Sequence, residues 1–129
     1  MEEFVFNTMY LTEKDSRIPI FFYPKPKDDL NIDVYVQYLN LPHYQNDFEL
    51  SAKDQNGNFI LKPSTINFNI DDIRWNGLFD STQLAGEVSF FISATKEEIK
   101  NVNRLDVSVK INGDSERSVA LFLTEENNG

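Results

Sequence analysis

The 129-residue chain carries 12 basic against 21 acidic side chains, a formal charge of −9, which repels phosphate backbones and anionic lipid and so argues against nucleic acid and membrane as partners. It has no cysteine and a single histidine, His43, which excludes disulfides, thiolate nucleophiles, thiolate zinc sites and multi-histidine metal centres. Its length suits one domain, 1–129, large enough to bury a core without covalent staples.

Met1-Glu2-Glu3-Phe4 is acidic where a secretory leader is basic, and no run approaches the roughly 20 apolar residues of a membrane span. A cytoplasmic protein is expected. The first strand is expected over 3–11, with Phe4, Phe6 and Tyr10 on one face and Val5, Met9 and Leu11 on the other. A second follows over 17–23, where Ile18, Ile20 and Phe22 alternate with Pro19 and Phe21. Proline removes a ladder donor, which places this strand at an edge. Two prolines, Pro24 and Pro26, then draw 24–29 into an extended loop.

The clearest alternation runs over 30–38. Leu30, Ile32, Val34, Val36 and Tyr38 take one face; Asn31, Asp33, Tyr35 and Gln37 take the other. Phe48, Leu50 and Ala52 alternate likewise with Glu49, Ser51 and Lys53, and the chain reverses at Asn56-Gly57 into Phe59 and Leu61. A two-residue Asn-Gly loop sets Ala52 opposite Leu61 and Leu50 opposite Pro63, with Phe48, Leu50, Ala52, Phe59 and Leu61 on one face. Alternation returns over 65–70 and fails over 71–83, which reads as a long loop pinned by Trp75.

From Ala85 to Ala94, Val88, Phe90 and Ile92 turn inward and Glu87, Ser89 and Ser93 outward. Thr95 and Glu98 have capping-box spacing, which predicts one or two helical turns through about residue 100. In the last hairpin, a two-residue loop at Asn112-Gly113 would put the apolar set of the final strand on the wrong face. A three-residue loop, Asn112-Gly113-Asp114, pairs Val107 with Val119 and Leu105 with Leu121. Such loops are commonly a type I turn followed by one left-handed residue.

About eight or nine strands at short spacing predict an all-β, antiparallel β-sandwich with one short crossover helix near 95–100, a closed barrel being the alternative. In size and class the chain resembles immunoglobulin-like and C2-like sandwiches.

Chemistry finds few footholds. His43 lies between strands in Pro42-His43-Tyr44, as a solvated loop histidine does, and no Gly-x-Ser-x-Gly elbow exposes a serine. Asp54-Gln55-Asn56-Gly57-Asn58 is not an EF-hand loop, because Phe59 and Thr65 stand where the sixth-position glycine and twelfth-position glutamate are needed. Asp28, Asp29, Asp71 and Asp72 fall in expected loops. If these converge, they suit Ca²⁺ in a C2-like domain or, more remotely, acid–base work in a carboxylate-dependent hydrolase.

The leading expectation is a surface. Phe21, Tyr23, Tyr35, Phe91 and Phe122 lie opposite the core sets, where aromatic side chains form partner sites. The sequence thus points to a non-catalytic binding or interaction module that takes a protein partner or a second copy of itself and needs no cofactor.

Overall fold

The computed structural model describes residues 5–39, 46–68, 85–113 and 115–125. Eight strands are present among them: β1 (Val5–Glu13), β2 (Phe22–Pro24), β3 (Leu30–Leu39), β4 (Asn46–Lys53), β5 (Phe59–Phe68), β6 (Ala85–Ala94), β7 (Arg104–Ile111) and β8 (Ser115–Thr124). They form a three-stranded sheet, β1-β3-β6, and a five-stranded sheet, β2-β8-β7-β4-β5. The chain is a β-sandwich. Period-two alternation does the sorting: β3 buries Leu30, Ile32, Val34, Val36 and Tyr38, and β7 buries Leu105, Val107, Val109 and Ile111. Phe48 of one sheet meets Phe90 of the other with ring centroids 5.6 Å apart, which marks the centre of the core. Burial pushes the Tyr38 phenol up to about 12, because its anion would be poorly solvated there.

Several expectations are corrected. No helix crosses between β6 and β7. The capping box does form, with the Thr95 N–H donating to Glu98 Oε1 at 2.8 Å and the Glu98 N–H to Thr95 Oγ1 at 3.2 Å. One bond of helical spacing follows, Ile99 N–H to the Thr95 carbonyl, and then tighter ones, Lys100 to Glu97 and Val102 to Ile99. A cap without enough residues to propagate yields consecutive turns, since helix nucleation costs more than one bond returns. These turns still bury Ile99 and Val102.

In β1, an irregularity between Phe6 and Thr8 shifts the pairing with β3 and moves Phe6 to the face of Met9 and Leu11; all three are buried, leaving Tyr10 on the outer face. The stretch 17–23 is not one strand. Ile20 bridges to Leu11 of the three-stranded sheet, and Phe22–Pro24 then joins the other sheet, parallel to β8. Of the strand expected over 65–70, residues 65–68 are the second half of β5 and Asn69 and Ile70 lie outside the described residues; the Pro63 of β5 is tolerated at a sheet edge.

The two hairpins divide. The β7–β8 register is as expected, with Val107 opposite Val119 and Leu105 opposite Leu121, although Asn112 and Gly113 are both left-handed, at φ 52° and 75°. The β4–β5 loop is longer than the two residues expected. Asp54 N–H donates to the Asn58 carbonyl and Gly57 N–H to the Asp54 carbonyl. Its carboxylate accepts the Asn56 and Asn58 amides, each at 2.9 Å, which stabilises the wider turn. Two register shifts follow, so Ala52 still faces Leu61 while Leu50 faces Ser64 and Phe59 is left exposed.

Candidate functional site

The five aromatic positions separate onto the two sheets. On the outer face of the three-stranded sheet, Tyr35 of β3 lies half-buried between its register partners Tyr10 of β1 and Ser89 of β6. The two tyrosine rings stack at 5.1 Å and 15°, and the Arg17 guanidinium sits 4.5 Å from the Tyr35 centroid. Arg17 also reaches Glu87 at 2.9 Å, while Glu87 Oε2 accepts from Tyr10 Oη at 3.2 Å and from Gln37 Nε2 at 3.1 Å. Burial by itself would raise the Glu87 pKa, but the Gln37 and Arg17 hydrogen bonds and the Arg17 charge hold it below the usual range. Tyr10 is raised, first by burial and then by the neighbouring Glu87 charge. One strand spacing away, Phe91 is 50% exposed with Lys14 Nζ 5.5 Å from its ring centroid.

The second surface lies where β2 meets β8. Phe22 and Phe122 are register partners on the outer side, and the Phe122 N–H donates to the Phe21 carbonyl at 2.9 Å. Phe21 and Phe22 meet edge to face at 5.0 Å. Phe21, Phe22 and Phe122 are 68%, 56% and 51% exposed, and Ile18 beside them in sequence is also exposed. Tyr23 does not share this surface. It pairs with Leu123 and packs against the core, because the crossing from one sheet to the other changes the phase of alternation after Pro19. The same change brings Phe22 out, so the sequence reading missed Phe22 and assigned Tyr23 its place. Proline followed by adjacent apolar residues was the available signal.

Lys25 anchors the end of β2. Its amide donates to the Thr124 carbonyl, and Nζ donates to the Lys100 carbonyl at 3.0 Å. Of the loop aspartates, Asp28 and Asp29 are exposed, whereas Asp71 and Asp72 lie outside the described residues, as do His43 and Trp75. Among the described residues, no group of three His, Cys, Asp or Glu side chains is placed to hold a metal ion. No helix there is long and apolar enough to cross a membrane.

No protein-family model matches the chain, and no curated protein does. Among solved structures it is similar to a bacterial adhesin from Mobiluncus mulieris containing intramolecular disulfide, isopeptide and ester bond cross-links, at a TM-score of 0.56 and 11% identity. That likeness covers 91% of this chain and 56% of the adhesin chain, so this chain spans little more than half the adhesin's length. It is a likeness of fold alone. The adhesin's disulfide has no counterpart in a sequence without cysteine. Among the described residues no lysine is buried, so none is placed in the core as an isopeptide donor. The C-terminal domain of wzt matches at a TM-score of 0.48 and 12% identity, over 96% of this chain and 75% of that one.

Proposed function

We propose that the chain is a non-catalytic interaction module, an immunoglobulin-like β-sandwich that meets a protein partner or a second copy through exposed aromatic surface. The observation that carries this reading is the contiguous group Phe21, Phe22 and Phe122 at the β2–β8 edge, each at least half exposed. Scattered apolar residues are ordinary on a surface, but adjacent phenylalanine rings on one edge supply the desolvation and rigid contact area of a binding centre. The immunoglobulin-like assignment is supported by the division into sheets of three and five strands and by the likeness to the adhesin.

Tyr35 belongs to a different regime. Its ring is stacked on Tyr10 and covered by Arg17, so it offers less free surface than the phenylalanines. The double variant Phe21→Ser, Phe122→Ser changes exposed positions and should keep the fold, yet weaken capture of a partner by about tenfold or more, the scale of a lost hot spot. Tyr35→Ala should leave capture nearly unchanged. Equal capture by the double variant and the parent chain would overturn the reading.

A further inference from the structure

Among the described residues the two sheets end in four edge strands, β1, β6, β2 and β5, and three of these are closed to further pairing. β1 carries the irregularity at Phe6/Thr8, lies against β8 and has Ile20 hydrogen-bonded to its Leu11 carbonyl at 2.8 Å. β2 is three residues long and ends in Pro24. β5 contains Pro63 beside Lys62 and is distorted by two register shifts. Short edges, proline, lysine and bulges are the devices by which sheets avoid unwanted partners.

β6 has none of them. Its ten residues, Ala-Gly-Glu-Val-Ser-Phe-Phe-Ile-Ser-Ala, pair with β3 in unbroken register, and among the described residues no other strand pairs with them. Its one charge, Glu87, is already engaged by Gln37, Tyr10 and Arg17. Extending this reading of the chain as an interaction module, we propose that the β6 edge pairs antiparallel with β6 of a second copy, joining two three-stranded sheets into one continuous sheet about a two-fold axis.

The strand is self-complementary in the required sense. A pair centred on Phe90 sets Phe91 against Ser89 of the second copy and Glu87 against its Ser93, so no like charges meet. An axis through a residue, rather than between two, also keeps the core faces of both copies on the same side. Phe91, half exposed in the monomer, gains cover from the added strand. The opposing force is the charge of −9 on each chain. Because repulsion between separated surface charges is screened beyond a Debye length of about 10 Å at 0.1 M salt, pairing tightens as salt is added.

Sedimentation or light scattering of the full chain over a concentration series, at low and raised salt, tests this. The mass should rise toward that of a dimer with concentration, more readily in salt, while β6 amides gain hydrogen-exchange protection and β5 amides do not. The double variant Ser89→Lys, Phe91→Lys sets lysine against lysine across the axis at exposed positions and should weaken association by about tenfold or more with the fold intact by circular dichroism. A strict monomer at every concentration and salt overturns edge pairing, and the capture experiment then judges the interaction-module reading separately. A dimer that survives the lysine variant but is lost in Phe21→Ser, Phe122→Ser overturns edge pairing and supports that reading.

Discussion

Tyr35 shows how much a single side chain's meaning depends on its neighbours. In the sequence it is an aromatic residue among polar ones; in the fold it stacks on Tyr10 beneath Arg17, which in turn binds Glu87. Glu87 has a side chain only 22% exposed and a lowered pKa, so its ionised form is favoured by folding. Stability from this group is fully present above the unfolded Glu value of about 4.3 and is lost as pH falls through the lower folded value. Acid unfolding should therefore be less steep in Glu87→Gln than in the parent chain, with the two curves converging once the pH has fallen below the lowered folded value. At neutral pH the variant should lose about 1 kcal/mol, since its partner Arg17 is largely exposed and such pairs are screened. Urea titrations at neutral and acidic pH measure both. A parallel pair of pH profiles would remove the group from the acid response.

Loops separate what the sequence disclosed about elements from what it did not. The β7–β8 register was legible because only one loop length kept Leu105, Val107, Leu121 and Val119 on a common face. The β4–β5 loop was legible at Ala52 and Leu61 and lost at Phe59, because the Asp54 carboxylate stabilises a wider turn than Asn-Gly alone requires. The Thr95 cap was correctly identified, while the helix inferred from it depended on propagation that the short segment does not provide. Thr95→Ala should cost about 1 kcal/mol through the lost cap, visible as faster amide exchange at Ile99 and Val102. Gly57, at φ 84°, has open space where a Cβ would stand. Gly57→Ala should thus cost about 1 kcal/mol from left-handed backbone strain alone, and Gly57→Asn less, because asparagine tolerates that region. Thermal unfolding of the two variants ranks them, and equal losses would mean that the turn changes conformation on substitution.

At the scale of the whole molecule, alternation conveyed a sandwich but not which strand belongs to which sheet. Ile20 in one sheet and Phe22 in the other are the clearest case: the sheet change occurs within a few residues, marked locally only by Pro19. The aromatic surface was partly hidden for the same reason, with Tyr23 turned in and Phe22 turned out. The core was legible because its residues recur at strict intervals on long strands, and they converge on the contact between Phe48 and Phe90. Phe48 is fully buried in the five-stranded sheet and Phe90 nearly so in the three-stranded one, so this contact joins the layers. Phe48→Ala removes a ring that neither sheet can replace without collapsing toward the other, which predicts a loss of about 3–5 kcal/mol. Against a total of roughly 5–15 kcal/mol for a domain, that is enough to leave the variant marginal at 25 °C. Phe122→Ala deletes the same side chain from an exposed position and should cost much less. Urea unfolding of both variants compares them directly. Similar losses would show that the β2–β8 phenylalanines support the fold as the core does, and would remove them as a free binding surface.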